Sequence, residues 1–163
     1  MRNVKDFGAV GNGLVKDTAA IQRAIDAGGT VYFPPGIYLT GTLFLRSHGG
    51  LLLETGAVLL GSLEPEDYKV EDPGSSNHVI KTTQTNDYHL IVARKLENVF
   101  IRGGRIDGRS LDFYAGQPET LGYGGRKTLA YPPWKPTQML FFQESKNVRI
   151  EDVELVNSPF WHC

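Results

Sequence analysis

The sequence predicts an all-β chain wound as a parallel β-helix and opened by a short capping helix. Three observations carry this reading. Residues 96–108 and 145–157 repeat one another: Asn98-Val99 aligns with Asn147-Val148, Ile101 with Ile150 and Ile106 with Leu155, all at an offset of 49 residues. A weaker third copy, Leu51-Leu52-Leu53-Glu54-Thr55-Gly56-Ala57-Val58-Leu59-Leu60-Gly61, has the same two-strand rhythm about a glycine bend. Such self-similarity marks a stack of units, each burying its apolar side on its neighbours. Second, the strand-like runs are only three to five residues long and end in Gly or Asn, without Asn-Gly hairpin turns between alternating runs. Third, Leu90-Ile91-Val92-Ala93 and Met139-Leu140-Phe141-Phe142 do not alternate, as expected of strands facing the inside of a coil.

Residues 4–9 read as a short strand running into a turn at Gly8-Ala9-Val10-Gly11-Asn12-Gly13, whose glycines and Asn tolerate positive φ. A helix of about three turns follows. Asp17 or Thr18 can cap it, Ala20, Ile21, Ala24 and Ile25 share one face, and Gly28-Gly29 ends it. Its expected role is to cover the open end of the first coil. Thr30-Val31-Tyr32-Phe33 is rich in β-branched and aromatic residues and is halted by Pro34-Pro35-Gly36. Ile37-Tyr38-Leu39 and Thr42-Leu43-Phe44-Leu45 are further short strands. Residues 62–88 and 109–134 are polar and turn-rich, and are expected to leave the stack as excursions.

Size and composition narrow the function. With 163 residues, 18.0 kDa and 40% hydrophobic content, the chain is expected to form one domain over residues 1–163. A net charge of −1 provides no basic field for a nucleic acid, and none is expected as a partner. Cys163 is the single cysteine, so the sequence has no disulfide framework. His48, His78, His89 and His162 lack metal-ligand spacing, and neither metal nor cofactor is expected. No run reaches the ~18 apolar residues of a membrane span, so no membrane partner is expected. The start of the chain has no apolar signal core; as written it reads as cytoplasmic, or as secreted or periplasmic if a leader is missing.

Three segments carry a resemblance to a known family. The opening Val4-Lys5-Asp6-Phe7-Gly8-Ala9-Val10-Gly11-Asn12-Gly13, then Asp17-Thr18-Ala19-Ala20-Ile21-Gln22, then Phe33-Pro34-Pro35-Gly36-Ile37-Tyr38-Leu39-Thr40-Gly41, resemble the start of glycoside hydrolase family 28, the polygalacturonase and rhamnogalacturonase group. Residues 53–62, Gly104-Arg105-Ile106-Asp107-Gly108 and Val156-Asn157-Ser158-Pro159-Phe160-Trp161 are similar to successive coil motifs of that family, in its order. The resemblance implies a right-handed, pectate-lyase-like β-helix. It also implies hydrolysis of α-1,4 galacturonosyl bonds with inversion, and a pectic polysaccharide or oligogalacturonide as partner. One departure is the short link Gly28-Gly29, where the family has a longer glycine-rich stretch, which predicts a trimmed cap.

A second departure concerns the chemistry. Inversion requires a protonated carboxyl for the leaving oxygen and a carboxylate for the water, about 6.5–9.5 Å apart. The family's Asn-Thr-Asp, Asp-Asp, Gly-His-Gly and Arg-Ile-Lys motifs are not in this chain. Thr85-Asn86-Asp87, His48-Gly49-Gly50 and Arg149-Ile150-Glu151 are only approximations to them. Asp107, Asp112, Glu151 and Asp152 read as bend or surface residues, so no catalytic residue is assigned and the chain is expected to be an N-terminal portion, inactive alone. Trp161 falls at the coil position of Gln138 and His89, beside the expected cleft. With His162, Gln138, Trp134, Lys135, Arg126 and Lys127 it makes up the expected substrate-binding set, rings stacking on sugar faces and cations pairing with uronate carboxylates. Phe113, Tyr114, Tyr123 and Tyr131 supply further rings in the same excursion. A non-catalytic polysaccharide-binding or structural β-helix is the alternative, and a lyase a weaker one. The full-length form is expected to be a monomer, and residues 1–163 alone marginal.

Overall fold

The computed structural model describes residues 1–69 and 88–163. In chain order the strands are β1 (Arg2–Asn3), β2 (Asn12–Lys16), β3 (Thr30–Phe33), β4 (Gly36–Thr40), β5 (Leu43–Phe44), β6 (Gly49–Leu53), β7 (Ala57–Gly61), β8 (His89–Arg94), β9 (Glu97–Arg102), β10 (Arg105–Asp107), β11 (Glu119–Leu121), β12 (Lys127–Leu129), β13 (Gln138–Gln143), β14 (Lys146–Glu151) and β15 (Glu154–Val156). The α-helices are α1 (Thr18–Asp26) and α2 (Ser110–Tyr114). Among the described residues, β1-β3-β6-β9-β14 form a first parallel sheet, β2-β4-β7-β10-β15 a second and β5-β8-β13 a third. The chain visits the three sheets cyclically, as β3-β4-β5, β6-β7-β8 and β9-β10-β13. After β14 and β15, Trp161 extends the third sheet by a parallel bridge to Gln138. This is a parallel β-helix, and the right-handed winding follows the general preference of parallel crossovers.

Register explains the sequence repeat and corrects its meaning. Val31 pairs with Leu51, Leu51 with Ile101 and Ile101 with Ile150, at offsets of 20, 50 and 49 residues. The bare coil is therefore 20 residues long, and the 49-residue repeat is a coil plus an excursion. Both excursions leave after a second-sheet strand, β7 or β10, and return at a third-sheet strand, β8 or β13. Inside the coils, stacked apolar columns form the core: Val31, Leu51 and Ile101 in one, Tyr38, Leu59 and Ile106 in another, Leu43, Ile91 and Leu140 in a third. Each fully buried aliphatic side chain contributes roughly 1.5–3 kcal/mol.

The N-terminal cap differs in detail from the expectation. Residues 4–7 are a 3-10 turn rather than a strand, because the Asn3 side chain accepts from Lys5 N and Gly8 closes the turn at φ 94°. Asn12 and Gly13, expected as the end of the turn at residues 8–13, instead open β2, which pairs with β4. Asp17 precedes α1 without capping it; its carboxylate accepts from Val10 N at 2.6 Å and Gly11 N at 2.8 Å, tying the preceding loop down. The helix is short, yet Ala20, Ile21, Ala24 and Ile25 are all buried, as its periodicity predicts. Gln22 reaches the free side of β5, donating to Phe44 O and accepting from Phe44 N, both at 2.9 Å. That covers an edge strand of the third sheet. The second excursion holds α2 and an exposed antiparallel hairpin of β11 and β12, neither of which was expected. Of the first excursion, residues 70–87 lie outside the described residues, and with them Thr85-Asn86-Asp87 and His78.

Candidate functional site

The third sheet turns Leu43, Ile91 and Leu140 into the core, so alternation sends their successors Phe44, Val92 and Phe141 to its outer face. His89 stacks on Phe141 with centroids 4.2 Å apart and planes 5° off parallel, which places it on that face too. The imidazole is buried, and neither ring nitrogen has a hydrogen-bond partner among the described residues. Burial first, and then the Arg94 guanidinium, push its pKa down to about 3, so it is neutral at ordinary pH. Gln138 lies in register with His89 on the next coil, its Oε1 buried without a partner among the described residues. Trp161 bridges Gln138 on the coil after that. Its N–H donates to Thr137 O at 3.0 Å and its carbonyl accepts from Met139 N at 3.0 Å, while the indole is 48% exposed.

Beside this lane the second excursion meets the last coil. Phe160 lies 5.2 Å from Trp161 and 6.3 Å from Tyr131, and Tyr131 lies 6.4 Å from Tyr114 of α2. The Lys135 ammonium sits 3.8 Å from the Phe160 centroid and 5.3 Å from that of Tyr131. Lys135 is buried, and this lowers its pKa from the ordinary lysine value. Trp134 takes the opposite course. Its indole packs between Tyr68, Tyr88 and Phe113 at 5.1–6.3 Å, against the core.

The structure thus brings Trp161, Gln138 and Lys135 together and packs Trp134, partly buried, against the core. Arg126 and Lys127 lie on the exposed hairpin, where Lys127 pairs with Glu119 across the strands at 3.0 Å. His162 is exposed, and its carbonyl accepts from Leu140 N at 2.9 Å. Phe160 was not singled out, although its place between Pro159 and Trp161 was the available signal. Of the acids read as bend or surface residues, Asp107 accepts from Asn157 Nδ2 at 3.1 Å and Arg109 N at 2.9 Å, and Asp112 pairs with Arg109 at 2.7 Å. Among the described residues, no three His, Cys, Asp or Glu side chains converge as a metal site would require.

The sequence profile of the rhamnogalacturonase A/epimerase, pectate lyase-like family matches residues 1–120. The chain belongs to this family. Within the wider set of similar proteins, a probable polygalacturonase of Vitis vinifera is 30% identical over 166 residues, covering 96% of this chain and 32% of that protein. Plasmin and fibronectin-binding protein A of Streptococcus pneumoniae is 45% identical over 168 residues, covering 99% of this chain and 21% of its own. The solved family 28 exopolygalacturonase of Yersinia enterocolitica superposes with a TM-score of 0.66 at 25% identity, over 98% of this chain and 35% of that one. The chain therefore spans about a third or less of these relatives. Glycine positions agree with the close-wound family fold: a Cβ at Gly50 would lie 2.2 Å from Phe100 O, and one at Gly103 2.4 Å from Leu53 O.

Proposed function

We propose that this chain forms the N-terminal part of a pectin-degrading glycoside hydrolase that cleaves α-1,4 galacturonosyl bonds with inversion. The observation that carries the reading is the likeness to polygalacturonases along nearly the whole chain, in sequence and in coil geometry. In this reading residues 1–163 supply the wall on which a sugar chain lies, and the two catalytic carboxyls come from further coils. Stacked coils suit the reaction because strands about 4.7–4.9 Å apart hold side chains at nearly fixed separations. A carboxyl pair about 6.5–9.5 Å apart can then keep room for the attacking water. The acids described above are engaged in turns and ion pairs, which supports their exclusion from catalysis.

The test is release of reducing ends from polygalacturonate. Residues 1–163 should release none, and a longer form of the protein carrying the further coils should release them steadily with inverted anomeric configuration. Hydrolysis by residues 1–163 alone would refute the division of labour. The pneumococcal relative, 45% identical over 99% of this chain, favours a second reading, a non-catalytic binding β-helix. Binding of pectic chains by the longer form without any release of reducing ends would select that reading.

A further inference from the structure

We propose that His48 is a proton-operated switch that sets the direction of a hydrogen-bonded side-chain ladder running along the coils through Asn98 and Asn147. The switch is independent of the hydrolase reading, since it involves no substrate and no catalytic group. The pairing of Gly49 with Val99 and of Val99 with Val148 puts the three residues at one place on successive coils. All three are left-handed, at φ 60°, 57° and 52°. Counting back from the Thr30–Gly50 pair puts Gly28 at the same place on the first coil, also left-handed at φ 78°. Gly28 has no side chain, so the ladder begins at His48. Its direction is uniform: Asn147 Nδ2 donates to Asn98 Oδ1 and Asn98 Nδ2 to His48 Nδ1, each at 3.0 Å. Both amides therefore point their N–H donors toward the cap. Asn147 Oδ1 ends the ladder without a partner among the described residues.

The chemistry of the first rung decides whether that direction lasts. An amide there would offer a donor and an acceptor at any pH, whereas an imidazole nitrogen accepts when bare and donates when protonated. Imidazole is also the side chain that changes charge between about pH 5 and 8. Once His48 Nδ1 carries a proton it faces the Asn98 Nδ2 donor to donor. Turning the Asn98 carboxamide over presents Oδ1 to the new N–H. Its Nδ2 then meets Asn147, which must turn as well in order to accept. Two bonds form for the two that break, and the one from His48 becomes charge-assisted. The turns themselves cost little, because the terminal torsion of Asn is broad and two-fold. Asn147 then presents Nδ2 outward in place of Oδ1, so the state of His48 decides whether the far end of the ladder offers a donor or an acceptor. The charged groups around the ladder come from several elements. Arg46 pairs with Asp26 of α1 at 2.8 Å, Glu97 of β9 pairs with Lys146 of β14 at 3.8 Å, and Arg2 of β1 donates to Gly28 O at 2.7 Å. Both of these acids are thus engaged by cations, which leaves the amide oxygen of Asn98 to meet the His48 proton.

The experiment follows the nitrogen resonances of the His48 ring and of the Asn98 and Asn147 side-chain amides by NMR, in residues 1–163, from pH 8 down to pH 5. At pH 8 His48 Nδ1 should resonate as a bare ring nitrogen. On acidification it should become an N–H, and both amides should shift with the same midpoint. His89 stays neutral over this range, its pKa pushed down to about 3. His48→Asn, which the left-handed backbone accepts, should leave both amides independent of pH and so exclude the remaining histidines as the source. Asn98→Gly cuts the relay without a left-handed penalty: His48 should still titrate, and the response of Asn147 should be lost. Three results would each overturn the proposal: a His48 that already carries its Nδ1 proton at pH 8, an Asn147 that stays still while His48 titrates, or an Asn147 that follows pH in Asn98→Gly.

Discussion

His89 is where burial decides chemistry at the scale of a single residue. In the unfolded chain its imidazole takes a proton near pH 6.5; in the fold, burial and Arg94 hold protonation off until about pH 3. Between those values the unfolded state binds the extra proton, so stability falls as the pH drops through this window. It is fully retained above the unfolded pKa. One such proton amounts to about 1.4 kcal/mol per pH unit. His89→Phe keeps the stack on Phe141 and removes two buried nitrogens that have no partner among the described residues. Urea midpoints taken between pH 7 and 4 should therefore show a slope shallower by about one proton in the variant, which should also be the more stable protein at pH 5. An unchanged slope would place the titration elsewhere. Lys135 illustrates the limit of reading such a site from sequence. The register of Gln138 with His89 is written in the repeat, but the seat of Lys135 on Phe160 depends on two segments 25 positions apart meeting in space.

At the scale of elements, the first residues of β9 and β14 carry their own hydrogen-bonded ladder, continued by His48 in the turn before β6. Asn98 and Asn147 sit at φ 57° and 52°, a left-handed conformation that Asn tolerates better than most residues. Asn147 Nδ2 donates to Asn98 Oδ1 at 3.0 Å, and Asn98 Nδ2 faces His48 Nδ1 at 3.0 Å. The Asn98 amide nitrogen can only donate, so His48 Nδ1 is the acceptor of this bond. Asn98→Ala loses both bonds and adds the left-handed penalty, for a cost of about 2–3 kcal/mol. Asn98→Gly loses the bonds without that penalty and should be the milder change, by roughly 1 kcal/mol in chemical denaturation. Equal effects would show that the backbone there is not strained. The elements themselves were unequally legible. Thr30–Phe33 announces itself by β-branched and aromatic residues between a Gly pair and a Pro pair, and α1 by its periodicity. The 3-10 turn at Val4–Phe7 does not, since it depends on the Asn3 side chain and on Gly8. Asp17 looks like a helix cap in sequence because its long-range duty, holding Val10 and Gly11, leaves no local pattern. The β11–β12 hairpin buries no face, so it carries no hydrophobic signal at all.

For the whole molecule, the stacking that builds the core also determines which strands pair on one side only. Among the described residues, β14 and β15 stand at the ends of their sheets and pair on one side only. Ile150 continues the column of Leu51 and Ile101, yet it is 39% exposed where Ile101 is 1% exposed. An open strand edge beside unburied core residues is a template for another chain. Residues 1–163 should accordingly associate as concentration rises through the μM–mM range, where exposed edges and apolar surface cause aggregation. Ile150→Lys should shift sedimentation velocity profiles toward monomer, because a charge on the edge opposes strand addition and must be desolvated to dock. The variant should lose only about 1 kcal/mol in stability, since its partly exposed side chain gives up part of the 1.5–3 kcal/mol of a buried isoleucine. Ile101→Lys, one coil inward, should instead prevent folding by placing an unpaired charge in the core. A wild-type chain that remains monomeric throughout, with a thermal midpoint independent of concentration, would mean that the terminal coil closes its own edge.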